Sequence, residues 1–62
     1  MNKIIRMQEV TNRTGLKKSS VYDHIATGTF PKPVKLGPRA VGFVESEIDA
    51  WLAEKISARD AV

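Results

Sequence analysis

At 62 residues, with a net charge of +3, no cysteine and one histidine, the chain suits one small domain and lacks the side chains for a disulfide framework or a zinc site. A domain this size buries only about 60% of the surface its unfolded chain exposes, so the core must be compact. No apolar run approaches the roughly 18 residues of a membrane span, and Met1 to Arg6 is too short for a secretory signal, which predicts a soluble cytoplasmic protein without metal or cofactor.

The charge is spread unevenly. Residues 1–39 carry eight cations against two carboxylates, net +6, and residues 40–62 carry two cations against five carboxylates, net −3. Such a split presents a basic face to a polyanion while an acidic face points elsewhere. An ordinary solvated surface gives the same count, so the asymmetry favours nucleic acid only slightly.

Met1 to Ile5 reads as a short apolar strand or extended lead that packs onto the domain. From Met7 to Thr14, apolar Met7 and Val10 lie three apart, Glu9 sits where a helix dipole favours a carboxylate, and Gly15 supplies a left-handed stop. This predicts a first helix, with Leu16 as a core anchor after it.

Lys17 to Pro31 predicts a second short helix, with Ser19 and Ser20 offering hydroxyls at its entrance and Gly28 and Pro31 closing its exit. Stepping about 100° per residue buries Val21 and Ile25, places Tyr22 and His24 on the flanks, and leaves Ser19, Ser20, Asp23 and Thr27 facing outward. A narrow buried stripe and a small polar outer face suit insertion into a DNA major groove. Helix, glycine-containing turn and helix, with Val10, Leu16, Val21 and Ile25 inward, make the helix-turn-helix pattern. That pattern also occurs in helical proteins that never touch DNA.

Phe30 to Pro33 cannot continue a helix, because each proline pushes its predecessor toward extended conformations. Val34 to Leu36 and Val41 to Val44 then predict an antiparallel hairpin around Gly37 to Ala40. Leu36 opposite Val41 and Val34 opposite Phe43 would put four apolar side chains on one face, Lys35 on the other and Arg39 at the tip. The hairpin is thereby a basic wing. Glu45 to Glu47 opens a third helix with Ser46 as N-cap and Asp49 completing a capping box. Ile48, Trp51, Leu52 and Ile56 form its apolar stripe, Trp51 reads as the central plug of the core, and the tail from Ser57 to Val62 frays. The expected fold is α+β: a single winged helix-turn-helix domain over residues 1–62, with three short helices and a two-stranded wing between the second and third.

Lys17 and Lys18, at the entrance to the second helix, are candidates for phosphate contacts, with simple solvation as the plain alternative. Tyr22 can offer its hydroxyl to a phosphate or pack its ring against the wing. Ser19, Ser20, Asp23 and Thr27 are the base-edge candidates; small hydroxyls discriminate bases poorly, which leaves a share of specificity to DNA shape. Lys35 and Arg39 would meet the backbone or an adjacent minor groove. His24 has no neighbour that would make it a metal ligand or general base. Paired carboxylates, a nucleophile with its base and a phosphate-cradling glycine loop are all missing, and Gly37-Pro38-Arg39 is a turn, not a P-loop, so no enzyme is expected.

Taken in order, Glu9-Val10, Thr14-Gly15-Leu16, Ser19-Ser20-Val21-Tyr22, Gly28-Thr29-Phe30-Pro31, Val34-Lys35-Leu36-Gly37, Arg39-Ala40-Val41-Gly42-Phe43 and Ser46 to Leu52 resemble the AlpA-like phage regulators, themselves similar to the wider excisionase and MerR-like winged-helix group. The resemblance covers nearly the whole chain. It implies a prophage or mobile-element protein that binds double-stranded DNA, controls transcription of an integrase or assists excision directly, and has no catalytic activity. Three positions depart from the common pattern. Lys17 replaces a frequent capping serine, which passes that role to Ser19; Asp23 replaces a frequent basic residue and can accept from a cytosine amino group; Phe43 replaces a frequent tryptophan. A monomer this small contacts few base pairs, so either role calls for several copies side by side, with integrase a further partner. A protein-interaction adaptor without DNA affinity is the reading from a different class.

Overall fold

The computed structural model describes Lys3 to Ala61. Its elements are β1 (Ile4–Ile5), α1 (Met7–Thr14), α2 (Lys18–Ala26), β2 (Val34–Gly37), β3 (Ala40–Val44) and α3 (Glu45–Asp60). The order matches the α+β winged helix-turn-helix expected, with one addition. The apolar lead is a true strand: β1 pairs antiparallel with β3, giving a three-stranded sheet in the order β1-β3-β2. Met1 and Asn2 of that lead lie outside the described residues.

The core forms where three helices meet the inner face of this sheet. Val10 of α1, Val21 of α2, Phe43 of β3 and Ile48 of α3 are completely buried, and Ile5 and Phe30 close around them. Met7, Leu16, Ile25, Trp51 and Leu52 pack on its margin. Each fully buried aliphatic or aromatic side chain contributes about 1.5–3 kcal/mol, and this short roster accounts for how few residues hold the fold. Trp51 is thus a marginal residue and not the central plug; that position belongs to Phe43. The reason is geometric, since Trp51 must keep its N–H near a polar partner. Ile56, expected in the same stripe, is 53% exposed because α3 outruns the body it packs on.

The helix ends obey glycine more faithfully than they obey serine. Gly15 (φ 72°) and Gly28 (φ 77°) adopt the left-handed conformation that terminates α1 and α2. At Gly28 the N–H groups of Gly28 and Thr29 bond to the carbonyls of Ile25 and His24 at 3.1 and 2.9 Å, the paired closure that satisfies a helix's last acceptors. The starts differ from expectation. α2 begins at Lys18 with Lys17 as N-cap, so Ser19 and Ser20 lie within its first turn. α3 begins at Glu45 directly off β3 with Val44 as N-cap, so Ser46 does not cap it and Asp49 does not complete a box. In both cases the extended backbone of the preceding residue is itself a sufficient entry. Nor does the tail fray from Ser57: α3 runs 16 residues, about 24 Å at the usual rise. Val62 lies outside the described residues.

The hairpin register is also corrected. Val34 pairs with Gly42, Lys35 with Val41 and Gly37 with Ala40, with an irregularity between Lys35 and Gly37. A one-residue slip exchanges the faces of a strand. Val34 and Leu36 therefore share the outer face with Gly42, while Lys35 lies with Val41 and Phe43 on the side where the helices pack. Gly42 is required here: a Cβ would collide with Ile4 Cγ2 and crowd Leu36 Cδ1 at 3.1 Å. Ile4, Val34 and Leu36 remain 38–47% exposed on that outer face.

Candidate nucleic-acid interface

The interface is built from α2 outward. Val21 and Ile25 anchor it, and the opposite arc presents Ser19, Tyr22, Asp23, Ala26 and Thr27, all exposed. Lys17 and Lys18 stand exposed at its N-terminal entrance, where unpaired backbone N–H groups and the positive end of the helix dipole already favour an anion. Ser20 is half-buried, turned further from that arc than expected. Tyr22 is 47% exposed and has no ring partner among the described residues, which leaves its hydroxyl at the surface.

Thr27 is partly committed. Its hydroxyl lies 3.1 and 3.2 Å from the carbonyls of Asp23 and His24 and 3.0 Å from the Thr29 hydroxyl. A hydroxyl has one proton to donate, so these contacts leave Thr27 only acceptor capacity and its methyl group for any other partner. Asp23 keeps its carboxylate unpaired among the described residues. His24 is half-buried and turned inward, its Nδ1 2.9 Å from the Thr29 hydroxyl.

The wing carries Lys35 on the helix side of the sheet and Arg39 in the Pro38–Arg39 turn, both exposed and without an ion-pair partner among the described residues. The register correction matters here, because it moves Lys35 onto the same side as α2.

One basic residue is removed from the available set. Arg13 Nε bonds to Glu9 Oε2 at 2.8 Å, Nη2 to Glu45 Oε2 at 2.7 Å and Nη1 to Asp49 Oδ1 at 3.3 Å. The hydrogen bond that Arg13 donates to Glu9 raises the guanidinium above its ordinary value against a smaller desolvation, with Glu45 adding to it. Arg13 is a clamp between α1 and α3. Its spacing from Glu9, and that of Glu45 from Asp49, are each one helical turn and visible in the sequence; that the two pairs meet is not.

A second contact also escapes sequence reading. Trp51 Nε1 donates to the Thr29 carbonyl at 2.7 Å, and Lys55 Nζ sits 5.3 Å from the centre of the indole ring. An open groove of about 620 Å³ lies here between residues 28–32 and α3, with Lys32, Glu47, Glu54 and Lys55 balancing its charge. Among the described residues no group of histidine, aspartate and glutamate could hold a metal ion, and no helix is long and apolar enough to cross a membrane.

Comparison with known proteins finds relatives over most of the chain. The family model described as prophage CP4-57 regulatory protein (AlpA) matches residues 3–56. A protein of Enterobacteria phage P4 called ORF88 is 39% identical over 57 residues, which cover 92% of this chain and 65% of that protein, just under two thirds of its length. The DNA-binding transcriptional activator AlpA of Escherichia coli K-12 is 36% identical over 59 residues, 86% of this chain and 84% of that protein. With nearly its whole length matched by the family model and both relatives above 35% identity, the chain belongs to the AlpA family of prophage regulatory proteins.

Proposed function

We propose that this chain is a sequence-specific DNA-binding regulator of transcription in a prophage or mobile element, with an integrase gene as its target. The observation that carries the reading is the pairing of an exposed polar arc on α2 with unpaired cations at its entrance and on the wing. Lys17, Lys18 and Arg39 neutralise phosphates, Lys35 and Tyr22 add backbone contacts, and Ser19, Asp23 and Thr27 meet base edges, with Ser20 supporting them from the flank. The name of the Escherichia coli relative supports DNA as the partner and transcription as the process. No catalytic role is assigned. A target on a bacterial or phage genome puts the work in the cytoplasm.

So small a surface covers few base pairs, so we infer that several copies bind side by side. The test is binding to duplexes tiling the promoter of an adjoining integrase gene and the attachment site, against scrambled competitor, at several salt concentrations. Salt-sensitive binding confined to the promoter supports regulation. Clustered binding that bends the attachment site would replace it with an excisionase that positions integrase. Absence of binding by the folded chain at low salt would leave a protein-interaction adaptor.

A further inference from the structure

The C-terminal end of α2 is held from outside the helix. Thr29 accepts the Trp51 indole N–H on its carbonyl at 2.7 Å, while its hydroxyl lies 2.9 Å from His24 Nδ1 and 3.2 Å from the His24 carbonyl. Trp51 comes from the middle of α3. Its ring centre lies 4.8 Å from that of Phe30 and 6.0 Å from His24, edge-on, and Phe30 meets Phe43 of β3 edge-on at 6.0 Å. A continuous aromatic path runs from the last turn of α2, past α3, to β3, the strand that the wing shares with the centre of the sheet.

Closing α2 does not require this path, since the N–H groups of Gly28 and Thr29 already satisfy the carbonyls of Ile25 and His24. The indole bond ties something else. Residues 27–33 link α2 to the hairpin, and Trp51 fastens their first turn to a helix that itself packs on β3. We propose that Trp51 is a positioning residue for DNA binding: acting through Thr29, it sets the angle between α2 and the wing so that both engage one duplex as a rigid unit. The proposal rests on the DNA-binding reading above. A wing whose orientation is fixed beforehand docks without a separate ordering cost, whereas a loosely connected wing must be oriented on the DNA.

A double-substitution cycle tests it, using a random-sequence duplex of about 20 base pairs, roughly two helical turns, at low salt. Trp51→Phe keeps an aromatic ring and removes the donor together with part of the ring's bulk. In the unaltered chain Arg39→Ala weakens binding severalfold. On the Trp51→Phe background it weakens binding by a smaller factor, the two factors differing by at least about twofold. A purely structural role for Trp51 lowers stability and leaves the factors equal, and equal factors overturn the proposal. Should Trp51→Phe fail to fold, the same cycle with 3-benzothienylalanine at position 51, an indole isostere that lacks the N–H donor to the Thr29 carbonyl, decides it by the same two outcomes. Failure of the unaltered chain to bind removes the DNA reading and this proposal together. Binding indifferent to Arg39→Ala removes the wing, and with it anything for Trp51 to couple. Dependence on Arg39 with equal factors removes the role of Trp51 alone.

Discussion

Arg13 and Arg39 are the same side chain in opposite situations. At the seam between α1 and α3, Arg13 is surrounded by Glu9, Glu45 and Asp49 within 3.3 Å. At the wing tip, Arg39 is exposed with no carboxylate partner among the described residues. The first holds two helices together and is electrically spent. The second holds no carboxylate among the described residues, and its charge is left open to solvent. A basic count over residues 1–39 cannot separate the two, because one is neutralised by carboxylates that lie 32 and 36 positions further along the chain.

The same division runs through the whole molecule, between the side that packs and the side that presents. The largest effect should come from the packed side: Phe43→Ala removes the completely buried centre of the core and should cost about 3–5 kcal/mol, enough to unfold a domain of this size in a thermal melt followed by circular dichroism. Gly42→Val comes next, at about 1–3 kcal/mol, because its side chain must displace Ile4 and Leu36. A Gly42→Val chain as stable as the original would mean that the outer face is looser than described.

On the presenting side stability should hardly move, within about 0.5 kcal/mol, and binding should change instead. Asp23→Ala should strengthen attachment to random duplexes by removing a negative charge from the arc, while relaxing preference at one base position by about 1–3 kcal/mol in a competition assay. Unchanged affinity for random DNA on that substitution would place Asp23 away from the phosphates. Arg13→Ala should lower the melting temperature and leave DNA affinity alone. Its pH behaviour has a definite sign: a guanidinium raised above its ordinary value contributes at every pH below that value and loses its contribution only as pH rises through the raised one. The clamp is therefore insensitive to loss of the arginine proton anywhere near neutrality.

What the sequence reveals about this fold follows from how local each signal is. Gly15 and Gly28 end their helices as expected because left-handed backbone is a property of one residue. Ser19, Ser20 and Ser46 mislead because a cap depends on where the chain enters the helix, and here Lys17 and Val44 arrive already extended. Alternation in Val34-Lys35-Leu36 marks a strand correctly. It does not say which face is inward, since the irregularity before Gly37 turns Val34 and Leu36 outward and Lys35 toward the helices. For the interface, the exposed arc of α2 and the tip position of Arg39 are readable from periodicity and turn chemistry. The committed hydroxyl of Thr27, the clamp on Arg13 and the indole bond to Thr29 are not, because each is decided by a partner's position in space.

The most direct test of the account compares the two arginines on one duplex. Binding constants for the unaltered chain, Arg39→Ala and Arg13→Ala would be measured against salt concentration under conditions where all three are folded. The slope of log affinity against log salt should become shallower by about one for Arg39→Ala and remain unchanged for Arg13→Ala. A slope that responds to Arg13 and ignores Arg39 would contradict the assignment of the wing, and with it the division between packed and presenting charge.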